Sequence, residues 1–149
     1  MLNGQRVMIT GVCGTIGREL LAQLYDSGAE VLGLDNNETE LFMLRDEFAG
    51  SSAVDLQICD VRDRDGLSWR SRGVDLILHA AAYKHVLVCE QSPRDAIQTN
   101  ILGTQNVIEA ALANDVGKVL YTSTDKAVNP TSVMGTSKLM GERLITAAN

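Results

Sequence analysis

The chain has 149 residues, and its 13 Lys and Arg against 19 Asp and Glu leave a formal net charge of −6. With 45% hydrophobic and 21% charged residues it has the composition of a globular domain, not of a disordered or fibrous chain. Its length suits one domain that buries roughly 68 to 70% of its unfolded surface, and its acidic balance excludes non-specific attraction to nucleic acid or an anionic membrane, so an anionic ligand has to be held by local devices.

In chain order, short apolar runs alternate with segments of helical period. Val7, Met8 and Ile9 predict a first strand, Val31 to Leu34 a second, Val54, Leu56 and Ile58 a third, Leu76 to Leu78 a fourth and Val119 to Tyr121 a fifth. Helices are predicted at Ile16 to Tyr25, Glu38 to Phe48, Arg64 to Arg70, Arg94 to Ala113 and Ser132 to Ala148. Asn37 with Glu40 three residues on has the form of a capping box, and Ser92 before Pro93 that of an N-cap with proline in the first turn. The alternation predicts an α/β architecture: a doubly wound (Rossmann) parallel sheet of five strands with right-handed crossovers and helices on both faces. No linker or repeat divides it, so 1–149 reads as one domain. Trp69, Met43 and Met140 read as packing residues, and His79 as a core histidine rather than a ligand.

The last predicted helix is still running at Asn149 with no Gly or Pro stop, and a fifth strand at a sheet edge needs cover. We therefore expect this to be the first part of a longer chain. No apolar run approaches the roughly 18 residues of a spanning helix. Cys13, Cys59 and Cys89 are odd in number and lack a C-x-x-C pair, so neither a disulfide framework nor a zinc site is expected and a reducing cytoplasm fits.

Between the first strand and the first helix lies Thr10-Gly11-Val12-Cys13-Gly14-Thr15-Ile16-Gly17. Glycines three apart let a backbone turn sharply and approach a pyrophosphate, whose charge then meets the amides and the positive end of the helix. Asp35 follows 18 residues after Gly17 at the end of the second strand, where a carboxylate accepts hydrogen bonds from an adenosine ribose. That carboxylate repels a 2′-phosphate, and Asn36, Asn37 and Glu38 supply no arginine to bind one, so NAD is favoured over NADP. Asp60 and Val61 end the third strand where they would flank the adenine; from spacing alone a plain strand-end turn serves as well.

Further strings are more specific than the glycine loop: Asp60-Val61-Arg62-Asp63, His79-Ala80-Ala81-Ala82-Tyr83-Lys84-His85-Val86, Asn100, and Ser123-Thr124-Asp125-Lys126-Ala127-Val128-Asn129-Pro130 followed by Met134-Gly135-Thr136-Ser137-Lys138. Over essentially its whole length the chain resembles the extended short-chain dehydrogenase/reductases, and within them the bacterial polysaccharide-biosynthesis (CapD-type) nucleotide-sugar 4,6-dehydratases. The resemblance implies a nucleotide-sugar substrate, usually UDP-N-acetylglucosamine, a tightly held nicotinamide cofactor lined also by Ala80, Ala81 and Ala82, and a homodimer or higher homo-oligomer. The chain departs from the family pattern where Leu87, Val88 and Cys89 precede Glu90. It departs again where Met134 stands in the tyrosine position of the usual Tyr-x-x-x-Lys pair, with Lys138 four residues on. Methionine cannot exchange a proton, although methionine here resembles one branch of the 4,6-dehydratases.

By the same resemblance, Asp125 protonates the leaving C6 hydroxyl, Lys126 takes the C5 proton, Thr124 bonds the C4 oxygen and Lys138 holds the nicotinamide ribose. Lys84 and His85 orient substrate phosphate or the catalytic loop, or serve the loop structurally. The alternative for Asp125 and Lys126 is a solvated charged turn. Two other functions remain open from sequence: a nucleotide-sugar epimerase, which has no leaving hydroxyl to protonate, and a non-catalytic dinucleotide-binding module. Apolar residues spread around both long helices (Ile97, Ile101, Val107, Ile108, Ala111 and Leu112; Val133, Leu139, Met140, Leu144, Ile145 and Ala148) suggest a self-association surface or cover by further chain.

Overall fold

The computed structural model describes residues 2–148. Strands and helices first alternate strictly: β1 (Arg6–Thr10), α1 (Thr15–Asp26), β2 (Glu30–Asp35), α2 (Glu38–Glu47), β3 (Val54–Ile58), α3 (Arg64–Arg70) and β4 (Leu76–His79). Then follow α4 (Val86–Gln91), α5 (Pro93–Ala96), a π-helical segment (Ile97–Leu102), α6 (Gly103–Ala113), β5 (Lys118–Tyr121), a 3-10 turn (Asp125–Ala127) and α7 (Val133–Ala147). All strand pairs are parallel, in the order β3-β2-β1-β4-β5. The chain therefore reverses its winding direction beside β1, which opens a crevice at the carboxyl ends of β1 and β4, the usual ligand position of such sheets.

The period of two in β1 divides the core. Val7 and Ile9 face Leu21, Leu24, Leu41 and Leu44 of α1 and α2, whereas Met8 faces Leu67 of α3 and Val107, Ala110 and Ala111 of α6. A strand buried on both faces reads as a continuous apolar run, which is why β1 is legible without alternation. Each fully buried side chain of this size contributes roughly 1.5 to 3 kcal/mol of transfer free energy. Helix starts are set locally: the side chains of Asn37, Asp63 and Ser132 accept from the amides of Glu40, Gly66 and Gly135.

Several expectations need correction. The Asn37 capping box is half made, because the Glu40 carboxylate turns away to Arg18. Ser92 stands at the N-cap of α5, but its hydroxyl caps nothing. The Arg94 to Ala113 helix starts at Pro93 and loosens into π geometry at Ile97–Leu102. The last helix spans Val133–Ala147 rather than Ser132 to Ala148, and its expected continuation at Asn149 lies outside the described residues.

Helix α4 has no helical period to announce it. It is held from outside, by Glu90 Oε1 accepting from the Val133 amide at 2.7 Å. Trp69, Met43 and Met140 are not packing residues but exposed, each on the outer face of its helix; Trp69 has the neighbouring Arg70 guanidinium 5.7 Å from its ring centre. Among the described residues no helix is long and apolar enough to cross a membrane.

Leu67 and Trp69 lie two residues apart on α3, with 0% and 59% of their surfaces exposed. Leu67→Ala is expected to cost about 2 to 5 kcal/mol in urea unfolding and Trp69→Ala less than about 1 kcal/mol. Equal losses would show that α3 packs otherwise.

Candidate functional site

The loop from β1 into α1 is pinned to β2: the amides of Gly11 and Val12 both donate to the Leu34 carbonyl, at 2.8 and 3.1 Å. Gly11 has φ of +75°, and a Cβ on it would stand 2.7 Å from the Ala81 backbone, so only glycine lets β1 and the segment after β4 approach here. Gly17 is equally constrained, because a Cβ there would strike the Gly11 carbonyl. Helix α1 then starts with no side-chain cap on Gly14 and no acidic residue in its first turn. Its first amides and positive end are left for an anion.

These groups open onto a cavity of about 350 Å³. Gly11, Gly14, Thr15, Ile16, Gly17, Asp35, Asn36, Asp60, Val61, Ala80, Ala81, Ala82 and Lys84 all line it. So do residues to which the sequence reading gave no place in the site: Cys13, Asn37, Glu40, Cys59, Tyr83 and Thr99. Cys13 and Tyr83 stand inside the quoted motif strings and Asn37 and Cys59 beside motif residues, so the sequence could have shown them; Glu40 and Thr99 reach the cavity only through the fold. The Asp35 carboxylate is aimed by two amides, Oδ2 accepting from Cys13 and Oδ1 from Asn37, each at 3.0 Å. Burial, with Asp35 nearby, pushes the Cys13 thiol up to about 12, so it stays protonated.

Arginines stand behind this rim, paired with carboxylates that line it, although none is adjacent to Asp35 in sequence. Arg62 grips Asp60 through Nε and Nη2 at 2.9 and 2.6 Å. That pairing, against a smaller opposing effect of burial, holds the Asp60 carboxyl down at about 2. Asp60 also accepts from Asn36 Nδ2 at 3.2 Å, so much of its hydrogen-bonding capacity is already used. Arg18 is paired with Glu40 at 2.8 Å and Glu47 at 2.9 Å.

The remaining expected site residues are not walls of this cavity. Thr124 Oγ1 donates to Asp125 Oδ1 at 3.0 Å and caps the 3-10 turn by accepting from the Lys126 amide. Lys126 Nζ lies 3.6 Å from Asp125 Oδ1, with 55% and 89% of the two side chains exposed. Thr124 first, then Lys126, holds the Asp125 carboxyl below its ordinary value. The structure thus brings Asp125 and Lys126 together as a solvated pair.

Met134 is buried with Cys89 and Ala96 in a small apolar cluster, turned to packing. Lys138 is buried too: Nζ donates to the Thr122 carbonyl at 2.6 Å and lies 4.1 Å from the Tyr121 ring centre, and burial pushes it down to about 8. His85 is exposed at the N-cap of α4 and caps nothing with its ring.

Asn100 ties the site together from the π-helical segment. Its side chain accepts from the Tyr83 amide at 2.8 Å and donates to the Tyr83 carbonyl at 3.0 Å and to Ser137 Oγ at 2.8 Å. One amide thereby clamps the loop after β4 against α7. His79 is a core histidine with both ring nitrogens satisfied. Thr104 spends its hydroxyl proton on the Asn100 carbonyl at 2.7 Å, so it accepts from His79 Nε2, and His79 Nδ1 accepts from Thr10 Oγ1 at 2.6 Å. The ring is neutral, and burial pushes it down to about 3.

An α/β sheet with a glycine loop, an uncapped helix end and a carboxylate at the end of β2 defines a dinucleotide-binding fold. Residues 7–149 match the family described as "Polysaccharide biosynthesis protein", and the chain belongs to that family. It is 46% identical over 144 residues to an uncharacterized membrane protein of Methanocaldococcus jannaschii, covering 96% of this chain and 43% of that one. It is 40% identical to the UDP-N-acetylglucosamine 4,6-dehydratase (inverting) of Campylobacter jejuni, covering 100% and 45%, and 39% identical to the UDP-glucose 4-epimerase of Rickettsia canadensis, covering 99% and 44%. Among solved structures it resembles the dTDP-glucose 4,6-dehydratase DesIV of Streptomyces venezuelae with NAD bound, at 28% identity and a TM-score of 0.82, over 94% of this chain and 50% of that one. The chain therefore spans less than half the length of these curated relatives.

The neutral His79 makes stability pH-dependent. Its value is about 3 folded and about 6.5 when exposed, so between these the unfolded chain binds the extra proton. The His79 contribution is full above about pH 6.5 and falls as the pH drops toward 3, with Asp60 adding a further loss below its ordinary 3.8. The melting temperature is expected to fall from about pH 6.5 to 4, and His79→Gln to start lower but flatten that limb. A wild-type melting temperature constant over this range would exclude a neutral buried ring.

Proposed function

We propose that the chain is the NAD-binding part of a nucleotide-sugar 4,6-dehydratase that takes a substrate of the UDP-N-acetylglucosamine type. The observation that carries this reading is the uncapped end of α1 and the aimed Asp35 carboxylate, which line one cavity. They fit the two ends of an adenosine diphosphate moiety: amides and helix dipole for the pyrophosphate, carboxylate for the ribose hydroxyls. Gly11, Gly14, Thr15, Ile16 and Gly17 hold the pyrophosphate, Asp35 and Asn36 the ribose, and Asp60 and Val61 border the adenine. Ala80, Ala81 and Ala82 supply a wall with no bulk. Free Cys13, Cys59 and Cys89 suit a reducing cytoplasm.

NAD, when bound, supplies the hydride acceptance and return that the sugar's C4 and C6 require; the protein's share is protons and position. Thr124, which donates to Asp125 Oδ1, bonds the C4 oxygen and relays the C4 hydroxyl proton to the Asp125 carboxylate; Asp125 gives that proton to the departing C6 hydroxyl, Lys126 takes the C5 proton and later returns it there, and Lys138 holds the nicotinamide ribose. Lys84, on the cavity rim, and His85 meet substrate phosphate. Buried Met134 leaves the proton work to Asp125 and Lys126, which favours dehydration over epimerisation because only dehydration has a leaving hydroxyl to protonate.

Asp125 and Lys126 are solvated in this chain. At neutral pH the Asp125 carboxyl is ionised, and it gains donor character only where substrate and further protein exclude water from it. The chain is expected to bind NAD in titration calorimetry but to release no dehydrated product from UDP-N-acetylglucosamine by mass analysis, for want of remote binding energy to align C4. Absence of NAD binding would overturn the reading; robust water loss would overturn the need for further chain; an isomer in place of a dehydrated sugar would replace dehydratase by epimerase.

Exposed Ile97, Leu102, Leu112 and Met140 on the π-helical segment, α6 and α7 support a homodimer through these helices. Sedimentation is expected to show concentration-dependent association that Leu102→Glu abolishes; a monomer at all concentrations would rule the dimer out.

A further inference from the structure

We propose that Glu40 is a second determinant of cofactor choice, acting by holding Arg18 away from the dinucleotide site; this rests on the NAD reading above. Cys13 joins the two charges: its amide donates to Asp35 Oδ2 at 3.0 Å and its carbonyl accepts from Arg18 Nε at 3.2 Å. A guanidinium is therefore one residue's backbone away from the carboxylate that meets the ribose, where a 2′-phosphate would have to sit.

Its two terminal nitrogens are nevertheless committed, Nη2 to Glu40 at 2.8 Å and Nη1 to Glu47 at 2.9 Å, and Glu40 itself lines the cavity. With Asp35 the cluster sets three carboxylates against one guanidinium. A 2′-phosphate, bringing about −1.5 to −2 charges by analogy with other phosphate monoesters, would meet net negative potential and an arginine with no free fork to offer. Two parallel donors to one oxyanion are what make arginine a phosphate binder, and here Glu40 holds one of the pair.

The arrangement explains why removing Asp35 alone should not convert the site. Asp35→Asn removes one repelling charge but leaves Arg18 clamped. Glu40→Gln frees a guanidinium nitrogen but leaves Asp35 to repel. Only the double variant both opens the place and frees Nη2 of the cation to turn toward it, with Nη1 still paired to Glu47, so the two substitutions should be coupled.

The test uses the 149-residue chain, with NAD and NADP affinities measured in parallel for wild type, Asp35→Asn, Glu40→Gln and the double variant. Wild type is expected to prefer NAD at least about tenfold, and each single variant to leave NAD favoured. The double is expected to shift the NADP/NAD affinity ratio at least about tenfold beyond the product of the singles, a coupling of about 1.4 kcal/mol. Arg18→Gln added to the double should cancel that excess, and the gained NADP affinity should fall with rising salt, as a phosphate pairing with a freed arginine must.

An unchanged far-ultraviolet circular dichroism spectrum and a cooperative melt across the four proteins verify that the fold is kept; Glu40→Asp, which shortens the clamp, serves as a second probe if Glu40→Gln unfolds and should reproduce part of the coupling. Multiplicative singles, or an excess that survives Arg18→Gln, would overturn the role of Glu40 while leaving the NAD reading intact. A wild-type chain that binds neither dinucleotide would instead overturn the NAD reading, and this inference with it.

Discussion

The backbone of Gly11 lies against that of Ala81 with no room for a Cβ between them, and the cavity exists because of that approach. It closes the angle between the ends of β1 and β4, at the place where the sheet reverses its winding, and it turns the chain into α1 with the helix amides facing outward. The same turn sends Cys13 toward the end of β2, where its amide catches Asp35. One glycine conformation thus brings together groups from two strands and a helix, and a side chain at that point would push them apart.

Around this turn the polar groups are fastened rather than free. Asn100 bonds both main-chain groups of Tyr83 and reaches Ser137, while His79 links Thr10 to Thr104. Loop, sheet and helices are therefore joined by buried side-chain hydrogen bonds in a region of low polarity, where leaving one partner unsatisfied costs about 1 to 3 kcal/mol. The π-helical stretch at Ile97–Leu102 carries Asn100, and π-bulges of this kind recur at functional positions. By contrast, Asp125 and Lys126 stand in water. The cavity end is preorganised within these residues; the Asp125–Lys126 end is not.

Charge follows the same division. An acidic chain of net charge −6 attracts an anion only through short-range devices, here the uncapped end of α1. Two carboxylates that line the cavity, Glu40 and Asp60, are paired with Arg18 and Arg62, which ties up guanidinium groups that would otherwise add to that attraction.

The five strands, their parallel order of layers, the glycine loop and Asp35 were legible in the sequence, because each is a local signal: apolar runs, a glycine spacing, a carboxylate at a strand end. His79 was legible as well, since a lone histidine closing an apolar strand is most simply satisfied inside. What the sequence left undetermined depended on distant partners. Helix α4 has no period of its own and is held through its Glu90, which accepts from the Val133 amide of α7; Trp69, Met43 and Met140 are as apolar as core residues but fall on outer faces; Met134 shares a helix face with Lys138, yet its surroundings are apolar. The Arg18–Glu40 pair spans 22 residues, and the clamp from Asn100 to Ser137 spans 37. Periodicity and spacing report what neighbours along the chain can do together, and they specified the fold and most of the residues that line the cavity. Which side chains are occupied, buried or free at that place is a matter of contacts across the chain, and only the tertiary structure decided it.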